Sequence, residues 1–252
     1  MGSTERLRTI AAAVRAAEQV SVAELAELTG CSEMTIRRDL ETLAEQGVLE
    51  RFRGGARSLL LRGEGPPFAL RRQEGVEVKQ RIAAAAARLI ADGESVVIDS
   101  GTTCVEVANA LRERRITVLP LSLHAANALV GGPHLTLLMP GGEVRTGELT
   151  MSGPLAEASL SALRFDTAIL GCCGLTAADG LTAYDLPDAA VKRAAIASAR
   201  RTIVVTDGSK FTLTALAAVV PASSLDAVVT DDTAPSAELE ALKAAGTTVW
   251  QV

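Results

Sequence analysis

Apolar residues return at Leu7, Ile10, Ala11 and Val14, the i, i+3, i+4, i+7 spacing of one helix face, so the chain opens on an amphipathic helix over residues 5–17. Val20 and Ser21 interrupt it. Ser21 followed three residues later by Glu24 is a capping-box pattern, and it predicts a second helix through Val22, Leu25, Ala26 and Leu28 that ends at Gly30. Ser32 then caps a third helix in which Ile36, Leu40 and Leu43 share one face and turn inward. Ser32, Glu33, Met34, Thr35, Arg37 and Arg38 occupy its opening turns, largely off that stripe. Two helices joined by a short glycine turn, the second with polar residues exposed at its N-terminal end, predict a helix-turn-helix whose second helix reaches base edges.

The next stretch, RFRGGARSLLLR from Arg51 to Arg62, holds four arginines and no acidic residue, with a hairpin turn expected at Gly54-Gly55. It reads as a wing whose Arg51, Arg53 and Arg57 meet phosphates or the minor groove. The chain's net charge is −5, yet its basic charge gathers where DNA would lie, so overall acidity does not exclude a nucleic-acid partner. The bland alternative is a solvated face on which Arg37 and Arg38 pair with Asp39 and Glu41. The order of features, a capped helix pair, a turn and then an arginine-rich hairpin, favours the DNA reading.

Beyond a linker over residues 59–75, rich in glycine and proline, the pattern alternates. Strand-like runs occur at 95–98, 116–119, 135–139, 167–170, 202–206, 227–230 and 247–249, with helical stretches such as 105–111, 155–163, 189–199 and 236–245 between them. Strand and helix in alternation predict a mainly parallel sheet covered on both faces. The expected organisation is α/β: an N-terminal winged helix-turn-helix over residues 1–58 and a larger α/β effector-binding domain over residues 76–252.

Ligands of such sheets sit at the carboxyl ends of the strands. The first strand is followed by Asp99-Ser100-Gly101-Thr102-Thr103, which runs straight into a helix. Its hydroxyls and helix-start amides can hold a phosphate, and without a Walker lysine nucleotide hydrolysis is not implied. Ser122, Gly141, Gly142, Gly171, Asp207 and Lys210 follow other strands and complete the expected effector site. Taken one at a time, each is an ordinary turn residue or cap. Lys210 can neutralise a phosphate or fix an aspartate.

Composition narrows the classes. Of 252 residues 48% are hydrophobic and 22% charged, as in a folded globular chain. The N-terminus lacks the apolar core of a signal peptide and no run is long enough to span a membrane, so a cytoplasmic protein without membrane partners is expected. Four cysteines without CxxC spacing and two histidines predict neither a structural metal nor disulfides, and no cofactor. Cys172 and Cys173 are read as packing residues rather than redox sensors. Aromatic residues make up 2%, too few for stacking on single-stranded RNA.

Ser32 to Leu40, then Leu43, Gly47 and Arg51 to Gly55, resemble the signature of the DeoR family of bacterial transcriptional regulators. So do Lys79, Arg81 to Ala83, Asp99 to Thr103, Gly141-Gly142, Ser152-Gly153, Gly180 to Thr182, Lys192 and Asp207 to Phe211. The resemblance implies a winged helix-turn-helix joined to a sensor domain similar in fold to ribose-5-phosphate isomerase and glucosamine-6-phosphate deaminases, sensing phosphorylated sugars. It implies a repressor of a carbohydrate operon, bound to operator DNA as a homodimer or homotetramer and released by its effector. One departure stands at Pro120-Leu121-Ser122-Leu123-His124, where the family usually has Thr-Asn-Ser. Two other classes are compatible with parts of the pattern: a sugar-phosphate isomerase or deaminase using Asp99, Asp185 or Asp207 as its base, and a winged helix that binds protein. The acidic clusters of the isomerases are absent and the arginines favour DNA, so no enzymatic activity is expected.

Overall fold

The chain divides into two compact units, Met1–Glu74 and Gly75–Val252. The computed structural model describes residues 2–17, 19–45, 48–58 and 68–252. In the first unit α1 (Ser3–Ala16), β1 (Gln19–Ser21), α2 (Val22–Thr29), α3 (Glu33–Glu45), β2 (Leu49–Phe52), β3 (Gly55–Ser58) and α4 (Phe68–Gln73) follow one another. Ile10 and Val14 of α1, Val22 and Leu25 of α2 and Ile36, Leu40 and Leu43 of α3 form one core. Each such buried side chain contributes about 1.5–3 kcal/mol, enough to hold helices this short against their own fraying. Leu28 departs from the expected stripe and is 55% exposed.

The capping box forms as its spacing predicts: Ser21 Oγ accepts from Glu24 N at 3.2 Å, and Ser21 N donates to Glu24 Oε2 at 2.7 Å. The break at Val20 and Ser21 is more than an interruption. It is a strand, antiparallel to β3 with Val20 opposite Ala56, in a sheet of order β1-β3-β2. The wing turn differs from the expected Gly54-Gly55. Phe52 pairs with Gly55, which puts Arg53 and Gly54 at the tip and Gly55 inside β3. Gly55 is required by close approach, since a Cβ there would stand 2.4 Å from the Val20 carbonyl oxygen.

Gly47, Arg62 and residues 59–67 of the expected linker lie outside the described residues. The rest of that linker is not all irregular: Phe68–Gln73 is helical, with Leu70 in the core of the first unit. Its apolar residues are too few to show a periodicity.

In the second unit α5 (Val76–Arg88) leads into β4 (Ser95–Ile98), α6 (Thr102–Leu111), β5 (Thr117–Pro120), α7 (Leu123–Leu129) and β6 (Thr136–Leu137). A hairpin of β7 (Glu143–Val144) and β8 (Met151–Ser152) precedes α8 (Pro154–Ser161) and β9 (Phe165–Leu170). Then come β10 (Gly174–Thr176), β11 (Gly180–Ala183), α9 (Leu186–Ser198), β12 (Ala199–Val205), β13 (Ala217–Val220), β14 (Ala227–Thr230), α10 (Ser236–Ala244) and β15 (Thr248–Gln251). Seven strands form a parallel sheet of order β15-β14-β12-β9-β4-β5-β6. All seven strand-like runs of the sequence fall in it. Its strands alternate between two cores: Val97, Leu119, Leu170 and Val204 pack with α8, α9 and α10, and Val96, Ile98, Val118 and Ile169 pack with α5, α6 and α7.

Along the chain the sheet grows from β4 to β5 and β6 on one side and from β9 to β12, β14 and β15 on the other. The order reverses between the neighbours β4 and β9, and an open α/β sheet places its ligand crevice at such a switch point. A smaller antiparallel sheet, β10-β11-β13, lies beyond the run patterns of the sequence because its strands are short and two of them open on a glycine.

Candidate DNA interface and effector site

α3 carries the first group of predicted residues. Thr35 N donates to Ser32 Oγ at 3.3 Å, so Ser32 caps the helix. Ser32, Glu33, Met34, Arg37 and Arg38 are exposed, Thr35 is half-buried, and Ile36, Asp39, Leu40 and Leu43 are buried beneath them. Met34 is 67% exposed, an apolar contact of the kind that meets a thymine methyl group.

The pairings of the bland alternative do not form. Asp39 turns inward and accepts from Arg6 Nε at 2.5 Å, joining α1 to α3, while Glu41 pairs with Arg51 at 3.1 Å. Hydrogen bonding to Asp39 raises the Arg6 pKa further. Arg37 pairs with Glu33 one turn earlier at 2.8 Å, and Arg57 pairs with Glu50 across the wing at 2.6 Å. Arg38 and Arg53, both exposed, have no side-chain partner among the described residues. One is on the helix and the other at the wing tip, and neither has to leave a carboxylate to meet a phosphate.

At the switch point of the sensor sheet, Asp99 follows β4 and Gly171 follows β9. Asp99 is 1% exposed, and its Oδ2 accepts from Gly171 N at 3.0 Å and from Lys192 Nζ. Lys192 comes from α9 and is 2% exposed, with Asp188 Oδ1 3.4 Å from its ammonium. Burial opposes the Lys192 charge, but Asp188 and Asp99 outweigh it and hold its pKa well above the ordinary lysine value. Burial raises the Asp188 carboxyl. Asp185 caps α9 by accepting from Asp188 N at 2.8 Å, and it is also ion-paired with Arg145 from the loop after β7.

α6 opens at Gly101, whose φ of 100° is a left-handed value that favours glycine, and no side chain caps the helix. Ser100 and Gly101 are half-buried; Thr102 and Thr103 are buried beside them. The amides of a helix's first turn have no partner within the helix and carry its positive dipole end. Of the other predicted residues, Ser122 is fully buried, and its hydroxyl is taken by Ala125 N at 3.1 Å as the cap of α7. Its first task is to cap a helix. Gly141 and Gly142 lie exposed before β7. Asp207 accepts from Ser209 N at 3.0 Å and caps a single 3-10 turn, Gly208–Lys210. Lys210 fixes no aspartate, because its ammonium has no partner among the described residues; Lys192 does so instead.

Cys172 stands between these groups. Its thiol donates to Thr206 Oγ1 at 3.1 Å and feels the charges of Lys210, Asp207 and Lys192. Burial pushes Cys172 up to about 11 and Cys173 to about 12, so both are thiols at neutral pH. No group of three metal-binding side chains occurs among the described residues. The three carboxylates considered as a catalytic base are all engaged: Asp99 by Lys192, Asp185 by Arg145, Asp207 as a cap.

Lys192, Asp188 and Arg145 were not among the expected site residues. An i,i+4 Asp-Lys pair flanked by Ala189, Val191 and Ala195, on a helix whose other polar residues are only Arg193 and Ser198, is the signal that points to the first two. Arg145 gives none, because its partner is 40 residues away.

Residues 6–60 match the DeoR-like helix-turn-helix domain, and residues 74–232 match the DeoR C terminal sensor domain. The glycerol-3-phosphate regulon repressor of Escherichia coli (strain K12) is 34% identical, over 96% of this chain and 96% of that protein. The transcriptional repressor AccR of Agrobacterium fabrum is 33% identical, over 90% and 89%. Among solved structures, ribose 5-phosphate isomerase A from Methanocaldococcus jannaschii overlays 55% of each chain at 16% identity with a TM-score of 0.42. No described helix is long and apolar enough to cross a membrane.

Proposed function

The chain belongs to the DeoR family of transcriptional regulators, and from that premise we propose that it represses a carbohydrate operon and leaves its operator when a phosphorylated sugar binds the sensor unit. The relative named as a glycerol-3-phosphate regulon repressor supports the repressor half of this reading. On the DNA side, α3 presents Ser32, Glu33, Met34, Thr35, Arg37 and Arg38 to the major groove, and Arg51, Arg53 and Arg57 of the wing meet phosphates. On the sensor side, Ser100, Gly101, Thr102 and Thr103 hold the phosphate and Lys210 lends charge.

The observation that carries the effector reading is the uncapped N-terminus of α6 at the switch point between β4 and β9. The protein acts in the cytoplasm, where its DNA lies, as a homodimer or homotetramer on repeated half-sites. It is a regulator and not an enzyme.

Effector and operator must favour different states of the protein, because a ligand shifts an equilibrium only through differential affinity. A coupling of about 1–3 kcal/mol gives a roughly 5- to 150-fold change, and it is reciprocal. The test is fluorescence anisotropy with duplexes selected from a random library, with and without a panel of sugar phosphates. Release by one member supports the reading. Tight binding unmoved by any of them would remove the effector half, and turnover of ribose 5-phosphate would overturn the non-enzymatic assignment.

A further inference from the structure

The effector site contains a charge that its surroundings use only in part. Asp99 Oδ2 accepts two hydrogen bonds, from Gly171 N and Lys192 Nζ, whereas Oδ1 is buried and accepts none from any described residue. A buried oxygen left without a donor carries its full desolvation cost, which is why such atoms are rare and call for an explanation. Lys192 compensates the charge of the carboxylate but leaves this oxygen unused.

The carboxylate lies against the opening of α6. A Cβ placed on Gly171 would stand 2.9 Å from the Ser100 carbonyl oxygen, 3.3 Å from Cys104 Sγ in the helix's first turn and 3.7 Å from Asp99 Oδ2. These groups therefore surround the backbone of Gly171, and Asp99 itself stands two residues before the uncapped Gly101. The opening of α6 offers donors to an anion, and Asp99 beside it offers an acceptor with no donor.

These two requirements select a ligand. An ionised carboxylate only accepts, so its partner must bring an O–H or N–H, which on a phosphate ester is most simply a hydroxyl or an ammonium. A carboxylate brought to the same place would set two anions against each other in a poorly solvated site. We propose that this pocket selects phosphate esters bearing a hydroxyl or ammonium within reach of Asp99 Oδ1, and discriminates against their counterparts that bear a carboxylate there. The proposal rests on the phosphate reading of α6 and specifies which phosphate esters fit.

The test uses the full chain and matched pairs: glycerol 3-phosphate against 3-phosphoglycerate, and glucose 6-phosphate against 6-phosphogluconate, with inorganic phosphate alone as the reference. Melting shifts and calorimetric Kd values are recorded for each. A site built to bond a hydroxyl rejects its mismatched analogue strongly, so the alcohol member of a pair that binds is expected to be at least about tenfold tighter than its carboxylate counterpart. In Asp99→Asn an amide donor replaces an acceptor, and the gap is expected to close.

If the esters bind but the carboxylate members bind equally well or better, this inference falls and the phosphate reading stands. If no ester and no inorganic phosphate shifts the melt at millimolar concentration, the phosphate reading fails and carries this one with it. A gap that persists undiminished in a folded Asp99→Asn also overturns it; should that variant not fold, the wild-type pairs decide alone.

Discussion

Arg37, Arg51 and Arg57 of the N-terminal unit face carboxylates across 2.8, 3.1 and 2.6 Å with 41–59% of each arginine side chain in solvent, whereas Lys192 of the sensor unit keeps 3% exposed between Asp99 and Asp188. The chemistry of attraction is the same and the surroundings are not. An exposed pair contributes roughly 0–1 kcal/mol because water and salt compete for both partners. It therefore exchanges one anion for another at little cost, which suits the proposed role in which these side chains leave Glu33, Glu41 or Glu50 for DNA phosphates. A buried pair has already lost its water, and losing one partner strands the other. Arg6–Asp39, with side chains 15% and 11% exposed, stands between the two and acts as a brace from α1 to α3.

The largest effect is expected where burial is deepest. Lys192→Met leaves Asp99 and Asp188 without their cation and should lower the stability of the sensor unit by about 3–5 kcal/mol in urea unfolding. A loss below 1 kcal/mol would place the cluster with the surface pairs and end the contrast. Next comes the brace: Arg6→Leu leaves a buried Asp39 unpaired, for an expected cost of about 1–3 kcal/mol in the melting of the N-terminal unit.

Arg38→Ala should weaken operator binding by roughly 1–3 kcal/mol if the arginine reads a base, with stability changed by no more than about 0.5 kcal/mol. If Arg38 meets only phosphate, the loss should be uniform across sequences and the salt slope should fall by about 1. Arg37→Ala is expected to lose less, because its guanidinium already has Glu33. The smallest effect belongs to Glu33→Gln: stability within about 0.5 kcal/mol, and DNA affinity slightly raised as Arg37 is freed.

The thiols sharpen the comparison from another side. Burial holds Cys172 at about 11, so alkylation by iodoacetamide should be slow at neutral pH and rise steadily as the pH approaches that value. Rapid labelling at pH 7 would mean that the thiol sits in water or beside an uncompensated cation.

How far the sequence reveals these features depends on how local they are. The capping box, the α3 stripe and the seven parallel strands each declare themselves within a few residues, through spacing or an apolar run. So did the DSGTT loop, since helix and strand signals meet there. What was hidden depends on partners far along the chain. β1 is three residues whose identity as a strand is settled only by Gly55–Arg57 of the wing, and that the Ser122 hydroxyl caps α7 shows only once α7 is placed. Lys192 could be picked out as part of a family pattern, but that it rather than Lys210 meets an aspartate follows from the order of strands. No spacing rule relates residues on α9 to the end of β4.

That distance has a kinetic meaning. The two bonds that make the floor of the site, from Asp99 to Gly171 and to Lys192, span 72 and 93 residues of chain. Contacts between residues so far apart repay their loop-closure entropy only after β4 and β9 have come together, so they belong to the late, slow part of folding. A partly folded or partly opened chain therefore lacks the complete proposed receptor, although its helix-turn-helix is made from residues that all precede β4 in the chain. During synthesis the helix-turn-helix can therefore form before the proposed effector site, and an effector acting there would recognise only chains whose central sheet has closed.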